Sequence, residues 1–287
     1  MTEALHECLD NNKTLTYLNL SENALWETEL DVISHALSMH PTLMSLNLSK
    51  TNLRNVAPFI HTLSSNNCVL SVLNISRNEL SANQTAFFFD PKLTDIKNKI
   101  HNKIQESNPS IVSRIVFRIV PRIVSGKRKF HGLLSLELNG NIVNDKVAFL
   151  IGTYLDESTY SVSTLKTLNM RRKRNNIEST GSRHHQDVHL DAVTCQGFVA
   201  ILNGAQHNTT LTALDLSGHH IRNAGVIKLS EVLFDTRLIK INLSHNRIGD
   251  RGVTPLALQL RSRVEERSVL VELVGNPISK EIAALVR

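Results

Sequence analysis

The 287 residues are 41% hydrophobic and 20% charged, a balance that excludes a disordered chain and fits a folded domain. The net charge of +6 does not describe a nucleic-acid face: Arg114, Arg118, Arg122, Lys127, Arg128 and Lys129 fall in one acid-free segment, 111–130, and the rest of the chain sums to zero. Three scattered cysteines exclude a disulfide framework, no apolar run is long enough for a membrane span, and the first residues lack the basic start and apolar core of a secretory signal, which points to the cytoplasm.

In chain order, Thr2–Leu9 reads as an amphipathic cap helix within 1–14. The segment Leu15-x-x-Leu18-x-Leu20-x-x-Asn23-x-Leu25 follows, then Leu43, Leu46, Leu48 and Leu53 with Thr51 in the asparagine place, then Leu70, Leu73, Ile75, Asn78 and Leu80. The pattern returns as Leu133, Leu136, Leu138, Asn141 and Val143, and its first half as Leu165, Leu168 and Met170. It closes with Leu211-Leu214-Leu216-His219-Ile221, Leu238-Ile241-Leu243-Asn246-Ile248 and Val271-Leu273-Asn276-Ile278, eight copies in all. Alternate apolar residues put a short strand's side chains into a core, and the asparagine can bond backbone groups where the chain turns away. Helix-period residues follow each strand, such as Leu30, Ile33 and Leu37 or Val226, Leu229 and Leu233. One unit cannot bury its own apolar face, so the units must stack.

With starts 28 and 27 residues apart, and glycines after the turns at Gly225 and Gly252, the chain resembles the ribonuclease-inhibitor-type leucine-rich repeats. The resemblance implies an α/β horseshoe, a single domain spanning 1–287 with parallel strands on the concave face and helices outside. Repeats fill 15–110, 131–170 and 192–278, and 279–287 forms a C-terminal cap. Two segments break the spacing. In the first, Leu93, Ile96, Ile100 and Ile104 suggest a long helix, and Val112, Ile115 and Phe117 within the basic segment 111–130 suggest a degenerate strand filling a missing row. The second, 171–191, reads as a basic, histidine-rich loop.

The candidate partner-binding face comprises Tyr17, Asn19, Glu22, Asn47, Lys50, Asn74, Arg77, Glu137, Asn169, Arg171, Arg172, Asp215, His219, Asn242 and His245, with Trp26 as an aromatic anchor or a residue packed under the cap. Ser76, Ser244 and Glu272 fall in the same rows. The plainer explanation of the recurrent Asn-Leu-Ser is repeat consensus and solubility. The Arg171–Arg174 run suits an acidic partner or a nuclear-import signal, and otherwise a solvated loop. His184, His185, Asp187, His189 and Asp191 have metal-ligand chemistry, but no rigid element fixes their spacing, and no metal or cofactor is expected. Catalysis is not expected: no phosphate loop, zinc helix or nucleophile elbow is present, and Cys195, at a helix start that would lower a thiol pKa, is the one cysteine of interest.

The function expected is binding of another protein by a monomer, not of a small molecule or nucleic acid. A free-standing irregular array also resembles the leucine-rich-repeat effectors that intracellular bacteria deliver into host cytosol, which implies a role in inhibiting or sequestering a partner. Two alternatives stay open. Ran-type GTPase activators share these repeats and supply an arginine, for which Arg77 is the candidate; against it, the chain ends without their acidic tail. A sensing fragment of an innate immune receptor would need nucleotide-binding sequence upstream of Met1.

Overall fold

The computed structural model describes residues 2–63, 68–89, 132–158, 163–172, 191–263 and 265–285. Each of the eight apolar repeats forms a three-residue strand, β1 (Tyr17–Asn19), β2 (Ser45–Asn47), β3 (Val72–Asn74), β4 (Ser135–Glu137), β5 (Thr167–Asn169), β6 (Ala213–Asp215), β7 (Lys240–Asn242) and β8 (Leu270–Glu272). They make one parallel sheet in sequence order. Helices alternate with them: α1 (Thr2–Asn11), α2 (Glu27–Met39), α3 (Ala57–Leu63), α4 (Ala82–Ala86), α5 (Asp145–Leu155), α6 (Cys195–Gln206), α7 (Arg222–Val232), α8 (Asp250–Ser262) and α9 (Lys280–Leu285). The core is a continuous seam of the three leading apolar residues of each strand segment and the inward stripe of each helix, including Leu30, Ile33, Leu37, Val226, Leu229 and Leu233.

β3 pairs directly with β4, Leu73 beside Leu136, so the sheet has no row between them for Val112, Ile115 and Phe117 to fill. Those residues, and the helix expected over Leu93–Ile104, lie outside the described ones, as do 173–190 of the histidine-rich loop. At the N-terminal end α1 buries Leu9 in its neighbour. At the other end α9 shields less well, leaving Val271, Leu273 and Ile278 only half-buried.

Two sets of side-chain bonds stitch neighbouring repeats. One runs backward. Asn78 Nδ2 donates to the Leu48 carbonyl of the preceding repeat, and its Oδ1 accepts from Thr51 and Leu53 N–H. Asn141 repeats this on Ile75, Asn78 and Leu80, and Asn276 on Leu243, Asn246 and Ile248. Buried backbone groups at the turn are thereby satisfied, as an interior without water requires. The other set runs forward. Asp145, in the first turn of α5, accepts from Thr194 and Gly197 N–H at the start of α6, Asn223 accepts from Gly249 N–H, and Asp250 from Ser279 N–H. Each first-turn side chain thus caps its successor's helix, where unpaired N–H groups and the positive helix end favour an oxygen.

Candidate functional site

Strand register sets the concave face. Because Leu18, Leu46, Leu73, Leu136, Leu168, Leu214, Ile241 and Val271 stand side by side pointing inward, the residues on either side point outward in two rows. One row reads Asn19, Asn47, Asn74, Glu137, Asn169, Asp215, Asn242 and Glu272. The other reads Tyr17, Ser45, Val72, Ser135, Thr167, Ala213, Lys240 and Leu270. The second row was only partly read from the sequence, where attention to asparagine passed over Val72, Ser135, Thr167, Ala213, Lys240 and Leu270. Strict register of the leucines would have named them all. It is small in the middle and apolar at intervals, with Tyr17, Val72 and Leu270 exposed.

The asparagine row has a local cause. In six repeats the Oδ1 of the row residue (Asn19, Asn47, Asn74, Asn169, Asp215, Asn242) accepts the N–H two residues on, closing an Asx turn that ends the strand. The Asn-Leu-Ser triplets therefore serve the repeat first, and only the outward half of each side chain is left to face outward. Two carboxylates in this row are tied by amides, one from the next strand and one from two residues on in its own repeat. Asn242 Nδ2 donates to Asp215 Oδ2 at 3.2 Å, and Asn139 Nδ2 donates to Glu137 Oε2 at 3.0 Å. Burial pushes the Glu137 carboxyl above its usual range, hydrogen bonds from Asn139 and Asn169 hold it back, and the Asp215 charge raises it further.

Glu137 is expected to titrate above an ordinary glutamate in a carbon-detected NMR titration, and its raised value means that stability declines as pH rises through that range, because the folded state holds the proton more tightly. A midpoint at or below the unfolded value would show that the concave centre is wetter than its geometry implies.

Past every strand but β5 the residue before the asparagine position takes left-handed backbone: Glu22, Lys50, Arg77 and His245, with glycine at Gly140, Gly218 and Gly275. These form a rim where the chain leaves the sheet. Lys50 pairs with Glu22 at 2.5 Å, a bond that together with the Lys50 charge keeps the Glu22 carboxyl low. The Arg77 stem lies against Gly140, the Arg172 side chain against Gly218 and the His245 ring against Gly275. Glycine at these places both adopts the backbone and clears room for its neighbour's side chain.

Four expectations need correction. His219 is not on the concave face: it is 1% exposed and stands in the asparagine place. Its Nδ1 accepts from Val193 N–H and its Nε2–H donates to the Met170 carbonyl, so the imidazole is neutral. Ser76 and Ser244 are also buried. Cys195 opens α6, yet burial and the Asp145 charge push its thiol up, not down. Trp26 precedes α2 and is 71% exposed, so it does not pack under the cap. Among the described residues no group of three or more His, Cys, Asp and Glu side chains could hold a metal, and no helix is long and apolar enough to cross a membrane.

A family described as leucine-rich repeat matches residues 11–25, 207–230 and 236–257. The fold is a leucine-rich-repeat solenoid. These matches coincide with the first repeat and with the segments around β6 to α8, where spacing is most regular. A solved structure of a Bacteroides fragilis protein aligns at 12% identity and a TM-score of 0.42, over 96% of this chain and 70% of its own. No curated protein matches the sequence. Leucine-rich repeats point to a protein–protein interaction module.

Proposed function

We propose that this chain binds a partner protein along its concave face and, by covering it, sequesters or inhibits it. The register carries the reading: two rows of outward side chains run across all eight strands without a break. Eight strands at about 4.8 Å spacing give a floor about 34 Å long, enough to cover a small domain. The small residues Ser135, Thr167 and Ala213 let a partner approach the centre closely, and Tyr17, Val72 and Leu270 offer apolar footholds. The polar row supplies orientation through Glu137, Asp215 and the asparagine amides. Interfaces of this kind gain most from a few desolvated anchors inside a polar surround. The narrower role of a host-directed effector rests on the resemblance of the irregular array to that class.

Thr167→Arg tests the reading, since it fills the middle of the small row without touching an inter-repeat bond. A protein captured from bacterial or animal-cell lysate by the parent chain is expected to be lost with Thr167→Arg at unchanged melting temperature. Equal capture by both chains would remove the concave floor as the site.

A further inference from the structure

The Arg171-Arg172 pair begins the basic run that the sequence matches to an acidic partner without placing it in the fold. The structure brings it against two other repeats. Arg172 Nη1 donates to His220 Nε2 at 3.3 Å, and its guanidinium is half-buried, disfavoured by that burial, relieved by Asp191 and pushed by the Arg247 charge. Arg222 N–H bonds to the Asn246 carbonyl, which places Arg222 next to Arg247. The rim beyond β5, β6 and β7 therefore carries Arg171, Arg172, Arg222 and Arg247 on neighbouring repeats, with Arg172 against His220 and the Asp191 and Arg247 charges both felt by Arg172.

The contrast with the rest of the rim is sharp. Beyond β1 to β3 the charges are internally matched, Lys50 to Glu22, with Arg77 also felt by Glu22. The concave floor carries Glu137 on β4, Asp215 on β6 and Glu272 on β8, the last paired with Lys240 at 3.5 Å. The positive rim and these floor carboxylates thus meet around β6, where Asp215 lies. A long polyphosphate crossing from one to the other would meet like charge, whereas a short acidic stretch confined to the rim would not. Two strand spacings separate β5 from β7, about 10 Å, and extended-chain residues rise about 3.3 Å each, so carboxylates two or three apart in a peptide match the guanidinium spacing.

We propose that this rim docks an acidic, Asp/Glu-rich segment of a protein partner, the partner's remaining surface lying over the floor; the inference rests on the reading of the chain as a binding module. Each arginine fork donates two N–H groups to a carboxylate in a planar, paired geometry that lysine could not give. The Asp191 charge favours the Arg172 guanidinium in the free protein, and a partner carboxylate would compete with it for that charge.

The test is fluorescence anisotropy of a labelled glutamate-rich peptide with the whole chain at low salt, which needs no identified partner. The double variant Arg222→Glu with Arg247→Glu is expected to weaken binding by about tenfold, each exposed attraction becoming a repulsion. A charge-matched control on the convex helices, Arg261→Glu with Lys280→Glu, is expected to leave it within about twofold, the margin of general charge screening. Asp191→Asn is expected to tighten binding. Absence of binding, equal loss in rim and control variants, or tighter and equally rim-dependent binding of single-stranded DNA would overturn the proposal. Because lysate capture and Thr167→Arg report on the floor alone, failure here would leave that result standing, and the reverse.

Discussion

Replacing Gly204 by alanine is expected to destabilise the solenoid by about 2 kcal/mol, even though alanine is the better helix former. Gly204 of α6 lies on Gly152 of α5, so close that a Cβ on Gly204 would fall on the Gly152 carbonyl oxygen, and a Cβ on Gly152 on the Ala200 carbonyl oxygen. The obstacle is backbone, which cannot rotate away as a side-chain tip could. The helices must separate, and packing around Ile151, Leu155, Ile201 and Ala205 loosens with them. Helix propensity returns about 1 kcal/mol, against an overpacking penalty of about 3 kcal/mol. Urea unfolding of Gly152→Ala, Gly204→Ala and the double variant measures this. The double is expected to cost less than the sum, because separating the helices once relieves both clashes. An unchanged or raised midpoint in Gly204→Ala would mean that α5 and α6 do not touch through their glycines.

The second large effect is acid sensitivity at His219. Burial drives its pKa down to about 4 from the ordinary 6.5, with the Arg172 and His220 charges pushing the same way and the Met170 carbonyl and Asp145 opposing. The geometry gives the reason: a proton on Nδ1 would face the Val193 N–H that now donates to it. The unfolded chain therefore binds a proton at a pH where the folded chain refuses it. Stability is fully present above pH 6.5 and falls as pH drops toward about 4, by about 3 kcal/mol at about 1.4 kcal/mol per pH unit. His219→Asn restores the residue used in the other repeats. It is expected to keep the neutral-pH midpoint within about 1 kcal/mol while removing the acid loss. His219→Leu, which strands the Val193 N–H and Met170 carbonyl, is expected to lose about 3 kcal/mol at neutral pH. Equal pH slopes for the parent and His219→Asn would place the acid sensitivity elsewhere.

The sheet was legible because the strand signal is periodic and each leucine has one role; all eight strands stand where Leu-x-x-Leu-x-Leu spacing puts them. The backward-reaching asparagines were legible for the same reason. His219 was misread because a polar residue near a concave surface invites a binding role, although its place in the pattern already assigned it to the interior. Ser76 and Ser244 erred likewise. Other features depend on contacts between distant repeats that no local spacing encodes: the approach of Arg172 to His220 and Arg247, the Asp145 oxygen beside Cys195, and the meeting of Gly152 with Gly204. The thiol shows how one such contact reverses an inference, since the helix start that should lower its pKa is already capped by a carboxylate.

The two-way stitching also explains where this architecture tolerates extra chain. Between Arg172 and Asp191 the sequence departs from repeat length, yet Val193 N–H still reaches His219 and Thr194 N–H still reaches Asp145. Between Phe89 and Gly132 it departs again, and Asn141 still serves Asn78 and Leu80. Among the described residues the stitches join the repeats on either side of both departures, so the added length orphans none of these donors. The solenoid in effect carries two natural grafting ports, one opening on the basic rim, where foreign peptide or a reporter domain could be spliced without unthreading the array.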